Sequence, residues 1–258
     1  MTNGKPRIKL KEIFSTEVFA PFSRTPHAVF DSLGRVAEAI RDTFGFDDVQ
    51  IERGENFIEG SRDDGIYFWL APEGIGVGFD EFLEDGDAYY YLLEAGNIIN
   101  EFSSNITYSG VELEITGRNL LEGASGVDFF SELLSKPAKN LFMRKEKIAH
   151  LFTISHTFSI REEPLLAIVK IERGTDPTIT GNDGFWLSSH QLMEKIIIGK
   201  ESDYIKLVEN YIYFKYSITV KPEEPLTDLN RSVFLAYMVY HTAEKEFFEF
   251  KTPKELQR

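Results

Sequence analysis

The sequence predicts an α+β protein, with mixed but mainly antiparallel sheets and helices packed on one sheet face. Two long segments, residues 26–44 and 228–250, carry apolar residues at helical spacing. Several short segments alternate apolar and polar residues, as strands do, and they come in runs between the helices rather than one strand per helix. That order fits two split β-α-β (ferredoxin-like) halves. With 258 residues, 42% of them hydrophobic, the chain is long enough to bury a substantial core.

The first helix is the clearest element of the chain, and residues 8–19 before it predict a strand. Thr25 is a suitable N-cap and Pro26 suits the first helical position, while Gly45 follows as a C-terminal stop. We therefore expect one amphipathic helix over residues 26–44. Its apolar positions share helical spacing, and they are Val29, Phe30, Leu33, Val36, Ala37, Ile40 and Phe44.

A group of short strands is predicted next, over residues 48–53, 57–60, 66–71 and 74–79. Asp64 and Gly65 suit a hairpin turn between the second and third strands, because such turns need positive φ values. In the fourth strand Gly74, Gly76 and Gly78 alternate with apolar residues, which leaves bare backbone on one face. We expect another part of the structure to approach that bare face closely.

The remaining segments predict further helices and strands. Asp87 starts a helix that runs to Phe102, and the strand at 106–116 turns Glu112 and Glu114 outward. Further helices are expected at 125–134, where residues 125–128 resemble a capping box, and at 185–198 and 228–250, and strands at 148–160, 165–172 and 211–220. The last helix should bury Phe234 in its apolar stripe. We expect an N-terminal half at residues 1–122 and a C-terminal half at 148–258, joined by 123–147, with one continuous domain as the alternative.

A weak internal repeat raises the question of a duplication. The residues Ile-Glu-Arg-Gly occur at 51–54 and again at 171–174. Each copy is followed by Asp-Gly and then by a Phe-Trp pair, and the two pairs contain both tryptophans of the chain. An ancient duplication is one interpretation of this match, and chance is the other.

The net charge of −14 is concentrated in the middle of the chain. Residues 42–132 contain 21 acidic and three basic residues. Such a field repels phosphate backbones and attracts basic partners, so we expect a basic protein partner and no direct binding of nucleic acid. Solubility alone is the competing interpretation. The densest acidic stretch supplies the predicted binding residues, which are Asp80, Glu81, Glu84, Asp85 and Asp87.

The motifs of common enzymes are missing from the sequence. There is no cysteine, no G-x-S-x-G and no P-loop, and the five histidines lack metal-binding spacing. We therefore expect no catalytic residue, no metal and no cofactor. No apolar run approaches the length of a membrane span, and the first residues do not resemble a secretory signal, so a soluble, cytoplasmic protein without membrane contact is expected.

These observations favour a non-catalytic protein that acts by protein–protein interaction through an acidic surface within residues 42–132. The first alternative is a DNA mimic that inhibits a nucleic-acid-binding protein, with carboxylates in place of phosphates. The second is an enzyme or small-ligand module whose site is assembled from distant residues such as His156, Glu112 and Glu114. A concave pocket with convergent polar groups would favour the last alternative.

Overall fold

A computed structural model describes residues 7–79, 85–103, 105–122, 146–149, 153–175 and 211–248. Ten strands form one sheet in the order β2-β3-β4-β5-β1-β6-β10-β9-β8-β7, and every pair in it is antiparallel. The α+β class is therefore confirmed. No helix of the described residues is both long and apolar enough to span a membrane. The strands are β1 (Arg7–Pro21), β2 (Asp48–Glu52), β3 (Phe57–Ser61), β4 (Ile66–Ala71), β5 (Gly74–Phe79), β6 (Val111–Glu122), β7 (Glu146–Ala149), β8 (Thr153–Glu162), β9 (Leu165–Thr175) and β10 (Tyr211–Pro222).

Four helices are described: α1 (His27–Phe30), α2 (Leu33–Phe44), α3 (Asp85–Phe102) and α4 (Asn230–Phe248). Helix α2 packs on β2 and β3, α3 on β5 and β1, and α4 on β10, β6 and β9. Alternate strand residues point into this helical layer and form the core. Val18, Leu113 and Ile218 are examples, and each is at most 1% exposed. The described helices thus cover a single face of the sheet.

The two halves of the sheet have the same connectivity: in each, the first strand in the chain is central, the second is at the edge, and the next three fill the space between them. In the first half β1 lies centrally beside a run of four neighbouring strands, β5 to β2, and α3 follows β5. In the second half β6 lies centrally beside β10, β9, β8 and β7, and α4 follows β10. The two central strands pair with each other. The two halves of the described chain therefore share one strand topology, which is the topology of an internal duplication.

The Ile-Glu-Arg-Gly repeat of the sequence does not correspond to this duplicated topology. Residues 51–54 begin at the end of β2, whereas residues 171–174 lie inside β9. The counterpart of β2 at the opposite edge is β7, and the counterpart of β9 is β4. The ferredoxin-like halves also receive no support from the described strands, although β5, α3 and β6 form one split β-α-β unit around β1. The division into domains at residues 122 and 148 stays a prediction.

The predicted first helix is divided in two. Its apolar positions are all buried as expected, and Gly45 ends α2 in the left-handed conformation with its N–H bonded to the carbonyl of Arg41. The chain turns at Asp31 and Ser32, whose short polar side chains compete for backbone groups and weaken a helix. Thr25 does not cap the helix, because its hydroxyl donates to the carbonyl of Pro72 at 3.2 Å.

The predicted stripe of the last helix contains one error. Val233, Tyr237 and Tyr240 are buried, but Phe234 is 63% exposed. Helix α4 contacts both the sheet and α3, and these contacts bury most of its circumference. Phe234 lies with Met238, four residues on, on the side that no described element covers.

Strand boundaries differ in two places. The predicted strand at 106–116 starts later, at Val111, and residues 106–110 contain an isolated bridge that joins Tyr108 to Phe22 and Leu226. The predicted strand at 148–160 is two strands, β7 and β8. The helices expected at 125–134 and 185–198 lie outside the described residues.

Arg62 connects the first hairpin to the helical layer. Its Nε and Nη2 donate to the two carboxylate oxygens of Asp64 at 2.8 and 2.6 Å, and its Nη1 donates to the carbonyl of Phe44 at 2.8 Å. The guanidinium also lies 6.0 Å from the ring centre of Tyr91 in α3. The hydrogen bonds from Arg62 lower the pKa of Asp64. A positive charge thus sits at the C-terminal end of α2, where the helix dipole favours it.

Candidate functional site

The sheet face opposite the helices, here called the open face, is covered by no described element. Side chains on this face alternate with the buried ones, so their positions follow from the pairing register. Two neighbouring rows cross its centre. One row runs through Glu59, Trp69, Gly76, Phe19, Glu112 and Thr219, and the next through Ser61, Tyr67, Gly78, Glu17, Glu114 and Ser217.

The glycines of β5 let aromatic rings lie on the open face. A Cβ added to Gly76 would be 2.0 Å from the indole of Trp69, and one added to Gly78 would be 2.1 Å from the ring of Tyr67. Trp69 stacks on Phe19 at 6.2 Å between ring centres and on Tyr67 at 5.7 Å. The expected close approach to the glycines is therefore confirmed. Side chains of β4 approach Gly76 and Gly78, and β1 approaches Gly74 through Phe19 and the carbonyl of Ala20. We call Tyr67, Trp69 and Phe19 the aromatic floor.

Three carboxylates lie beside the aromatic floor. Glu17 of β1 and Glu114 of β6 face each other directly. Glu112, two residues before Glu114 on β6, faces Phe19 of β1. Like charges directly opposite in a sheet are destabilising. Tyr67 Oη donates to one oxygen of Glu17 at 2.7 Å, and Lys215 of β10 forms an ion pair with Glu114.

Phe19 and Trp69 of the floor and the three carboxylates line a shallow depression of about 310 Å³. Its lining combines an acidic side with an aromatic side and a row of hydroxyls. The lining residues are Glu17, Phe19, Trp69, Glu112, Leu113, Glu114, Ser217, Ile218 and Thr219. Among the described residues, no group of three carboxylate or histidine side chains could hold one metal ion.

The predicted binding residues of the acidic stretch fall only partly within the described residues. Asp80, Glu81 and Glu84 lie outside the described residues. Asp85 and Asp87 lie in the first turn of α3, where negative charge is favourable to the helix dipole. The role of these five residues in binding stays a prediction.

The alternative site of His156, Glu112 and Glu114 is brought together only in part. Glu112 and Glu114 both point to the open face, as predicted, and both line the depression. His156 pairs with Ile171 on β9, in the row of Ile115 rather than the row of Glu114. Successive positions along a strand point to opposite faces, so the register places position 156 on the face opposite to the two glutamates. The small-ligand and DNA-mimic alternatives stay predictions.

Sequence reasoning missed Glu17, Phe19 and Trp69 as members of a site. They come from two strands that are about 50 residues apart in the chain. The other two strands of the site, β6 and β10, are about 100 and 200 residues from β1. The alternating glycines of β5 were the available signal, because they mark where side chains of a neighbouring strand lie on backbone. That pattern alone does not identify which strand supplies the rings.

Comparison with known proteins finds no family model that matches the chain and no curated protein similar to it in sequence.

Proposed function

We propose that this protein is a non-catalytic binding module that takes a basic segment of another protein on its open face. The depression beside the aromatic floor is the proposed site. The observation that carries the proposal is the direct opposition of Glu17 and Glu114, with Glu112 next to them, in a concave part of the sheet that no described element covers. This part overlaps the acidic region of residues 42–132 through Trp69, Glu112 and Glu114.

Electrostatic repulsion supplies the physical reason. Two carboxylates opposed on a sheet disfavour the folded state, and the described structure compensates them with one lysine and one tyrosine hydroxyl. A basic partner would remove the repulsion, so the cost of holding the carboxylates together is offset on binding. The surplus charge of the middle region would also raise the association rate at low salt.

The acidic stretch fits the same proposal as a source of long-range attraction. Asp80, Glu81, Glu84, Asp85 and Asp87 fall within eight residues of the sequence. At physiological salt the Debye length is about 8 Å, so neighbouring carboxylates act together on an approaching cation. Reversal of Glu81, Glu84 and Asp85 to Lys should therefore slow association more than it speeds dissociation.

The test is fluorescence anisotropy of a labelled nine-residue peptide in which basic residues alternate with serine, titrated with the full chain. Glu112→Lys is expected to weaken binding about tenfold, because it puts a cation into the depression. Glu38→Lys is the matched control, since it changes the net charge by the same amount as Glu112→Lys at an exposed position of α2, on the other side of the sheet. Its effect should stay below about twofold. Equal effects of the two variants, or no binding by the wild type at low salt, would refute the proposal.

A further inference from the structure

The aromatic floor has one ring face against the sheet and one facing outward. The indole of Trp69 lies over Gly76 and the ring of Tyr67 lies over Gly78, so backbone supports them from below. All three rings of the floor are half-buried, as expected for rings covered on one side. The planes of Phe19 and Trp69 differ by 10°, and those of Tyr67 and Trp69 by 22°. The floor therefore offers near-parallel aromatic rings, held over the glycines of β5, to a ligand.

Two carboxylates next to the floor retain acceptor oxygens. Glu112 makes no hydrogen bond or ion pair with the described residues and is exposed. Glu17 accepts from Tyr67 through Oε1, and no described residue bonds to Oε2. Glu112 is one strand from Phe19, which is about 5 Å, and Glu17 is two residues along the same strand, about 7 Å away. Both carboxylates are thus within reach of a cation placed on Phe19.

We infer that the depression holds an arginine side chain of the partner, an assignment that rests on the proposed function. The guanidinium lies flat on Phe19 and Trp69, and its N–H groups donate to Glu112 and to the free oxygen of Glu17. The aliphatic part of the arginine crosses the floor, and Ser217 and Thr219 line the side next to β6. The partner segment is therefore basic through arginine in particular, rather than through charge of any kind.

The chemistry of the site selects guanidinium over ammonium. A guanidinium is planar and stacks on aromatic faces, and it presents several N–H donors in fixed directions. Two carboxylates beside near-parallel aromatic rings match that arrangement. An ammonium is compact and more strongly hydrated, so it gains less from the floor. A phosphate or a nucleotide would meet three carboxylates, which repel it.

The experiment compares three peptides that differ at one position, which is arginine, lysine or citrulline. Citrulline keeps the planar shape of arginine and removes its charge. Anisotropy titrations with the full chain should give about tenfold tighter binding for arginine than for lysine, and the weakest binding for citrulline. Failure of all three peptides to bind would refute the proposed function together with this inference. Equal binding of the arginine and lysine peptides would leave the proposed function standing and overturn the arginine assignment.

Two variants locate the selectivity in the depression. Trp69→Leu removes the largest ring of the floor and should reduce the arginine preference to about twofold, with little change for the lysine peptide. Glu112→Gln tests the same contact at an exposed position that leaves the aromatic stack in place, so its fold is not at risk. It should weaken arginine binding about fivefold. An unchanged arginine-to-lysine ratio in both variants would overturn the assignment.

Discussion

Replacing Gly76 by alanine should disrupt the aromatic floor and destabilise the protein. The added Cβ would be 2.0 Å from the indole of Trp69, far inside van der Waals contact. A small rotation of the indole does not relieve the clash, because the rings of Phe19 and Tyr67 pack against it. The ring must therefore leave its place over the backbone.

The magnitude follows from the contacts that are lost. Trp69 makes two stacked pairs, each contributing about 0.5–1.5 kcal/mol beyond its buried area, so their loss costs roughly 1–3 kcal/mol. Alanine also restricts the unfolded chain, which returns about 0.4–1 kcal/mol to the folded state. We expect a net destabilisation of about 1–2 kcal/mol.

Gly34→Ala provides the matched control in α2. A Cβ at Gly34 meets no atom within 4 Å, and alanine is the better helix former. The free energy of unfolding of this variant should be about 0.5–1 kcal/mol higher than that of the wild type. The measurement is urea denaturation followed by far-UV circular dichroism. The midpoints of the two variants and the wild type are compared with a common dependence of the unfolding free energy on urea concentration. A Gly76→Ala protein as stable as Gly34→Ala would refute the described position of Trp69.

Three other predictions address the core and the titrating groups. Ile40→Ala should lower the free energy of unfolding by about 2–5 kcal/mol in the same denaturation assay, because Ile40 is 0% exposed. Phe234→Ala, at an exposed site, should change it by less than about 0.5 kcal/mol. The reverse order of the two effects would contradict the described packing of the helices. Asp64→Asn should cost about 0.5 kcal/mol at pH 7, since the Asp64 side chain is 54% exposed. Because Arg62 lowers the pKa of the folded-state carboxyl, this difference should shrink as the pH falls below about 4 and vanish below the folded-state pKa; a difference that persists at the lowest pH would contradict the ion pair. Tyr108→Phe should raise stability by about 1 kcal/mol, because the buried Oη has no hydrogen-bond partner among the described residues. A clear loss of stability would show that the hydroxyl is satisfied.

The pattern of side chains along each segment determined much of the secondary structure. Strands β4 and β5 have the predicted bounds, residues 66–71 and 74–79, because alternation and turn residues are local signals. The buried positions of α2 also followed from helical spacing, and the outward direction of Glu112 and Glu114 from the period of two. Each of these features depends on neighbours within a few residues.

Pairing between distant strands was decided only by the tertiary structure. Glu17 faces Glu114 because β1 lies between β5 and β6, and no local signal in either strand specifies its partner. The duplicated topology could not be predicted for the same reason. The sequence repeat falls on β2 and β9, which are not equivalent strands of the two halves. Phe234 shows the limit within one helix. Several sides of α4 are apolar, and only the packing of the sheet and α3 against it determines which of them is buried.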